Sequence, residues 1–408
     1  MSIYALVSAT VVVTSTTRGQ ILAGRILNYV YIGFELSVVP VFQSEIVPGP
    51  VRGFAVSTYQ LSISAGGLLI NGICRATSTN KDASAYRIPF GLFYIIPTII
   101  LSLVWLIPES PRWLMMNDRL EDARAAHHKY RKGTMSSEAI DMEFNYLYEA
   151  LLSEPEQGHT VELVKGTNLK RTAIVMGVNF FQQATGQSFA SQYGAIFIRS
   201  LGTINPFSMS VGNSAIGLTM LITCLLTSDK LGRRYMLLAG SVVQAAALLT
   251  MGGLGINPTS SSHKVGEVAM LSVFAAGFGF GWGPLTYVVT TELPALRLRD
   301  RSQRVAAITN IITNLIVTLV LPYMLDGLGS KVGFIFGAIS VVAGVFVFFC
   351  VPECKGRGLE EVDKMFMEGV TVREFRNHPR LDTEWDEVVA EKRKNVQLRE
   401  VMTREQGI

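Results

Sequence analysis

Two stretches of this chain share one pattern of charge: SEIVPGPVRG, residues 44–53, and TELPALRLRD, residues 291–300. In each stretch a glutamate and an arginine stand seven residues apart, directly after a long apolar run. The two pairs are Glu45 with Arg52 and Glu292 with Arg299. Because the same charged pair recurs in the same setting, the pattern indicates an internal repeat.

A second pair of motifs repeats in the same order. PESPRWL begins 63 residues after Glu45, and PECKGRG begins 60 residues after Glu292. The chain therefore consists of two related halves, offset by 247 residues. The counterpart of the charged turn SDKLGRR (228–234) would fall before residue 1, so we expect the first half to lack its opening, about two membrane spans.

The composition is that of a membrane protein. Of 408 residues, 49% are hydrophobic and 17% are charged, whereas a soluble domain averages about 25% charged residues. A membrane-spanning helix needs ~20 mostly apolar residues, and ten stretches meet this need. They are residues 1–17, 21–46, 55–75, 88–107, 172–198, 208–228, 235–255, 266–290, 304–325 and 332–351. We predict an all-α polytopic membrane protein.

The spans define four segments of chain. We predict an N-terminal bundle (1–107), a helical linker (108–169), a C-terminal bundle (170–351) and a tail (352–408). The linker's side of the membrane carries 17 Lys and Arg residues, the tail adds eleven, and the opposite side carries seven. By the positive-inside rule the linker and tail are cytoplasmic. Within the linker, His127 and His128 lie in a charged helix and are expected on the surface.

Six motifs in this order resemble those of the sugar porter family of the major facilitator superfamily. They are GRILNYVYIG with PVFQSEIVPGPVRG, PESPRWL, NFFQQATGQSFASQYG, DKLGRR, GWGPLTYVVTTELPALRLRD and PECKGRGLEEVD. The resemblance is greatest to fungal α-glucoside (maltose-type) permeases. It implies two six-helix bundles, of which about ten of the twelve spans are expected here, and transport by alternating access.

By this resemblance the expected function is α-glucoside:proton symport at the plasma membrane. The implied protein is a monomer whose partners are a small-molecule sugar, protons and the lipid bilayer. No cofactor, metal, nucleic acid or enzymatic chemistry is expected. The alternatives are an inactive truncated transporter and a sugar sensor.

The resemblance also implies which side chains bind the sugar. Amides both donate and accept hydrogen bonds, which suits sugar hydroxyls; hydrogen bonding between helices is the other use of such residues in membranes. Tyr287, Gly279 and Ser188 replace larger or more polar residues of many hexose members, which favours a substrate larger than a hexose. The expected ligands are Gln60, Gln182, Gln183, Tyr287, Asn310 and Asn314.

Two charged residues lie inside the second predicted span. A charge at membrane depth costs roughly 3 kcal/mol and normally faces a partner or the protein interior. By resemblance Arg25 is the arginine that partners the proton-binding acid of symporters. Asn28, Tyr31 and Glu35 share one helix face, and Glu35 is our candidate for proton exchange; a carboxyl bonded to a neighbouring helix is the alternative.

A third group of charged residues lies at the cytoplasmic ends of the spans. Carboxylate to guanidinium bonds there can join the two bundles and break during the cycle; the alternative is a rim of solvated pairs worth ~0 to 1 kcal/mol each. The gate residues are Glu45, Arg52, Glu109, Arg112, Asp229, Arg233, Arg234, Glu292, Arg299, Glu353 and Arg357.

The glycine-rich stretch GFGFGWG, residues 277–283, has a spacing loosely like that of a nucleotide-binding loop. It lies within an apolar span and no strand precedes it. We therefore expect close helix packing at these glycines.

Overall fold

The computed structural model describes residues 1–47, 49–133, 136–152, 159–202, 204–256, 260–355, 357 and 359–376. These residues are almost entirely helical, and this described part of the chain contains no β-strand. The predicted all-α class is confirmed.

The first half forms five helices. The Thr17 hydroxyl caps the second helix by accepting a hydrogen bond from the Gln20 amide at 3.3 Å. Short 3₁₀ turns at Leu92–Tyr94 and Val104–Leu106 extend the last two. The helices are α1 (Ser2–Val13), α2 (Arg18–Ile46), α3 (Gly49–Thr77), α4 (Ser84–Gly91) and α5 (Ile95–Leu103).

The linker forms three helices: α6 (Pro111–Met116), α7 (Leu120–Arg131) and α8 (Ser137–Leu152). Leu114, Ala123 and Phe144 belong to a small apolar cluster that packs them together. The expected surface position of His127 is wrong: the residue is 3% exposed and its ring lies 5.9 Å from that of Phe144. The charged pattern of α7 gave no sign of this burial, because it depends on α8, which packs over His127.

The second half contains two interrupted helices. A π-helical segment, Phe189–Tyr193, separates α9 from α10, and another, Phe278–Trp282, separates α13 from α14. Such segments change the backbone hydrogen-bond pattern and are frequent at functional sites. The helices are α9 (Gly166–Ala184), α10 (Gly194–Leu201), α11 (Pro206–Leu231), α12 (Arg233–Leu254), α13 (Ser261–Gly277), α14 (Gly283–Glu292), α15 (Arg299–Leu328) and α16 (Val332–Cys350), followed by α17 (Leu359–Met367).

The glycines of the second π segment are tightly packed. A Cβ on Gly279 would lie 2.9 Å from the carbonyl oxygen of Gly217 on α11, and one on Gly281 would lie 2.7 Å from that of Met236 on α12. The predicted close packing of GFGFGWG is therefore present. The expectation that Gly279 enlarges a substrate pocket is wrong, because the α11 backbone fills the space beside it.

Each of the ten predicted spans coincides with helix. Five stretches of the described chain are long and apolar enough to cross a membrane: Ser84–Leu106, Pro206–Ser228, Arg233–Leu254, Ser261–Glu292 and Arg299–Cys350, the last of which contains both α15 and α16.

The two halves meet where α3 packs along α11. The Asn71 amide donates to the Ser214 hydroxyl at 2.8 Å, and Arg75 Nε donates to the Ser208 hydroxyl at 2.6 Å. Polar side chains therefore join the halves at this contact.

The buried histidine of the linker makes the packing of α7 on α8 sensitive to pH. Burial lowers the pKa of His127. Burial alone would raise the pKa of Glu143, but hydrogen bonds from Arg131 outweigh it and hold that pKa below its ordinary value. A base whose pKa is lowered by folding destabilises the folded state as the pH falls through its unfolded pKa, ~6.5.

We expect hydrogen exchange in α7 and α8 to become faster as the pH falls from about 7.5 to about 5.5, after correction for intrinsic rates. His127→Gln, which stays neutral, removes this acid dependence. His128→Gln is the control, since the His128 side chain is 32% exposed and bonds to Asp141. An unchanged acid dependence in His127→Gln would show that another group is responsible.

Candidate functional site

A chain of three amides links α9 to α15. The Asn310 amide nitrogen donates to Gln182 Oε1 at 2.6 Å, and the Gln183 amide nitrogen donates to Asn310 Oδ1 at 3.1 Å. Three of the predicted sugar ligands are thus brought together, and each is the hydrogen-bond partner of another.

The same network holds the interrupted helix in place. Gln182 Nε2 donates to the carbonyl oxygens of Trp282 at 3.3 Å and Gly283 at 3.1 Å. Gln182 is 2% exposed. Its amide therefore fixes α14 against α9 at the π segment, while Gln183 and Asn310 remain partly accessible.

A second polar layer begins one helical turn beyond Asn310. Asn314 Oδ1 accepts hydrogen bonds from the hydroxyls of Ser188 and Thr318, each at 2.9 Å. The Tyr193 hydroxyl donates to the Thr318 carbonyl oxygen at 3.4 Å. The short side chain of Ser188 reaches Asn314, so the polar layer is continuous from the start of the π segment to α15.

Tyr287 lies on α14, close to Gln182. It is 48% exposed. Tyr59 of α3 lies within electrostatic range of Tyr287, Glu35 and Tyr31. Tyr59 is thus electrostatically coupled to groups on both α2 and α14.

Tyr59 was missed by sequence reasoning, which selected its neighbour Gln60 instead. Gln60 is half-buried beside it on α3. An aromatic residue in an apolar span carries no signal of its own, because most such residues only pack. Its proximity to the predicted acid Glu35 is what distinguishes it.

The two residues predicted for proton coupling are not adjacent. Arg25 and Glu35 are both on α2, ten residues and about 15 Å apart along the axis. Arg25 is exposed, whereas Asn28, Tyr31 and Glu35 are half-buried on one face. Glu35 is thus the more buried of the two, and the coupling role of both residues stays a prediction.

A carboxylate caps α12 at the linker side of the second half. Glu353 accepts hydrogen bonds from the backbone N–H groups of Arg233 at 3.0 Å and Arg234 at 3.1 Å, where a helix N-terminus favours an anion. Arg233 Nη2 also donates to Glu292 Oε1 at 3.1 Å. Four predicted gate residues therefore form one cluster.

Gly232 makes this cap possible. Its φ is +93°, and a Cβ there would collide with the Glu353 carboxylate. Only glycine meets both the left-handed backbone and the close approach.

The first half uses different partners at the equivalent place. Glu45 Oε2 accepts a hydrogen bond from the Ser110 hydroxyl at 2.5 Å, and Glu109 accepts one from the Ser110 N–H at 3.1 Å. Arg131 of the linker donates to the Ile46 carbonyl oxygen at 3.0 Å. The bonds of Glu45 and Ile46 join α2 to the linker.

Arg357 pairs with Glu361, and Arg112 and Arg299 also have interaction partners. The side chains of Arg52 and Asp229 lie outside the described residues. The hydrogen bonds and ion pairs described for the gate residues lie within the second half and its tail, or within the first half and the linker. The predicted joining of the two bundles by gate residues remains a prediction.

The described residues thus form long apolar helices with a buried polar network between α9, α14 and α15. The sequence pattern of the family described as "Sugar (and other) transporter" matches residues 1–366. The chain belongs to this family.

Its relatives include a high glucose sensor of Saccharomyces cerevisiae, 30% identical over 85% of this chain and 47% of the relative. A hexose transporter of the same yeast is 28% identical over 86% of this chain and 64% of the relative. The chain thus spans about half to two thirds of the length of these relatives.

A solved structure has a similar fold. The structure of the proton:xylose symporter XylE with 6-bromo-6-deoxy-D-glucose has a TM-score of 0.72 at 21% identity, covering 90% of this chain and 82% of that one. The likeness shows the major facilitator fold.

The amide chain yields a prediction for binding. We expect Gln182→Leu to weaken the binding of labelled glucose by about tenfold or more, ~1.4 kcal/mol, because it leaves the Trp282 and Gly283 carbonyls and Asn310 without their partner. Gln244→Leu is the matched control. Gln244 is 0% exposed, and within the described chain its amide has no hydrogen-bond partner, so its replacement is near neutral. Equal losses in both variants would contradict a specific role for Gln182.

A second prediction concerns the cap of α12. Gly232→Ala adds strain of order 1–3 kcal/mol and displaces Glu353, so we expect the thermal midpoint of the purified protein to fall. Gly253→Ala in the same helix is the control, because nothing lies within 4 Å of its added Cβ. A midpoint unchanged by Gly232→Ala would disprove the role of this cap.

Proposed function

We propose that this chain binds a sugar between its two halves and carries it across the membrane by alternating access. The observation that carries the proposal is the amide chain of Gln182, Asn310 and Gln183, with Tyr287 half-exposed beside it. The amides offer donors and acceptors between α9, α14 and α15 of the second half. A sugar hydroxyl can replace Asn310 or Gln183 as a partner without leaving a buried polar group unpaired.

The substrate class that is best supported is a hexose. The relatives carry the names of hexose transporter and high glucose sensor. The α-glucoside substrate expected from sequence rested in part on an enlarged pocket at Gly279, and the α11 backbone fills that space. An α-glucoside such as maltose is therefore the second choice.

Proton coupling is proposed through Glu35. Its carboxyl is half-buried on the face of α2 that carries Tyr31, and it lies in electrostatic range of Tyr59. A carboxyl at this place can change protonation as the site changes its access to water. We further propose that the protein acts as a monomer in the plasma membrane, with Arg25 as a secondary member of the coupling path.

The test is uptake of labelled glucose and labelled maltose by cells that lack their own sugar transporters, with and without a proton uncoupler. We expect glucose uptake that the uncoupler reduces several-fold. Uptake of maltose alone would favour the α-glucoside, and uptake of neither, with no binding by the purified chain, would reject the proposed function.

Glu35→Gln tests the coupling step. We expect uptake against a gradient to be lost while exchange of internal for external sugar continues, because exchange needs no net proton movement. Asp82→Asn is the control, since Asp82 carries an exposed carboxylate in the loop between α3 and α4. Uncoupler-sensitive uptake that persists in Glu35→Gln would exclude Glu35 as the proton carrier.

The second candidate function is sugar sensing, favoured by the similarity to the yeast glucose sensor. A sensor would use the same amides to bind sugar without moving it. Saturable glucose binding by the purified chain, together with no uptake in cells, would support this candidate over transport.

A further inference from the structure

Arg171 is a buried arginine that belongs to neither the amide chain nor the gate residues. It lies in the second turn of α9 and is 2% exposed. Its Nη1 donates to the Asp363 carboxylate, and its Nη2 donates to the Asp363 carbonyl oxygen at 2.9 Å. The guanidinium also lies 4.5 Å from the centre of the Phe366 ring. Because Asp363 and Phe366 are on α17, a charge pair, a backbone bond and a ring contact tie α17 to α9.

The segment that supplies these contacts is packed like a protein core. Met365 is 1% exposed and Phe375 is 0% exposed, and both belong to the apolar cluster formed by α9, α12, α14 and α16. The rings of Phe366 and Phe375 lie 4.9 Å apart, edge to face. Residues 359–376, expected from sequence to begin a cytoplasmic tail, therefore cover the base of the second half.

Arg373 extends this cover to the end of the last span. Its guanidinium lies 5.3 Å from the centre of the Phe348 ring and 5.6 Å from that of Phe349, both on α16. The segment is thus attached at two places, to the beginning of α9 through Arg171 and to the end of α16 through Arg373.

The attachment to α9 is aligned with the candidate site. Gln182 follows Arg171 by eleven residues on one uninterrupted helix. Eleven residues make about three turns, so the two side chains lie on the same face about 16 Å apart. A helix transmits an axial shift along its length, because each backbone bond constrains the next turn. A displacement of Arg171 therefore displaces the amides.

We propose that Arg171 is a positioning residue through which residues 359–376 set the place of Gln182 and Gln183. These residues are then a working part of the sugar-binding unit rather than a separable tail. The expected effect on sugar binding rests on the proposed function. The coupling of α17 to Gln182 and Gln183 through α9 is independent of that function.

The test compares Asp363→Asn with Glu368→Gln in the full chain. Asp363→Asn keeps the shape of the side chain but removes the charge that pairs with buried Arg171. Glu368 is a matched control on the same segment, since its partner Lys364 is 4.0 Å away and both are about half-exposed. Two quantities are measured on purified protein: hydrogen exchange in peptides that cover residues 178–184, and the affinity and capacity for labelled glucose.

We expect Asp363→Asn to raise exchange at residues 178–184 and to weaken glucose affinity by about tenfold, with the number of binding sites per folded protein unchanged. Glu368→Gln changes neither quantity. A purely structural role would instead lower the number of binding sites and leave the affinity of the remaining protein unaltered, which would overturn the proposal.

Exchange that rises only in residues 359–376 and not at 178–184 would also overturn it. If Asp363→Asn does not yield folded protein, Phe366→Leu, which removes the ring beneath Arg171, is measured in the same way and judged by the same two outcomes. If the unaltered chain binds no sugar, the proposed function fails, while exchange at 178–184 still decides whether α17 positions α9.

Discussion

The constraint on which the structure depends is that a polar backbone group in a membrane needs a partner within the protein. Continuous helices satisfy it by themselves, but α13 and α14 are interrupted at Phe278–Trp282. There the Gln182 side chain supplies hydrogen bonds, because its amide nitrogen donates to the Trp282 and Gly283 carbonyl oxygens. The same amide accepts a hydrogen bond from Asn310. The bonds that satisfy the interrupted helix therefore belong to the same network as the candidate binding site.

Charged groups at the linker side of the second half also have partners within the protein. Glu353 caps the N-terminus of α12 while Arg233 pairs with Glu292, so charges that repeat in both halves serve different local tasks in each. Glu45 instead bonds to Ser110 at the start of the linker. The repeated charge pattern is therefore conserved in position between the halves but not in partner. The contacts differ because the linker follows the first half and α17 follows the second.

The α9 helix relates these two levels of the second half. Arg171 lies at its base and Gln182 at the site, three turns further along one face. Its base is held by α17, and its upper end is held by α14 and α15. A movement of α9 must therefore alter contacts at both levels. The helix α9 therefore couples a displacement at Arg171 to a displacement at the amides of Gln182 and Gln183.

Several features could be predicted from the sequence because they depend on pattern alone. The apolar stretches predicted the helices, and the glycines of GFGFGWG predicted close packing, since both are properties of residue spacing. The choice of Gln182, Gln183 and Asn310 as sugar ligands came from resemblance and stays a prediction, whereas their mutual hydrogen bonds are seen only in the structure. The burial of His127, the filled space beside Gly279 and the position of Tyr59 could not be predicted, because each depends on which helix lies opposite. By itself the sequence determined the helical class, and it predicted two related halves and the polar residues of the candidate site. Only the tertiary structure decided their partners, including the pairing of Arg171 with Asp363, because residues 192 positions apart meet only when the helices pack.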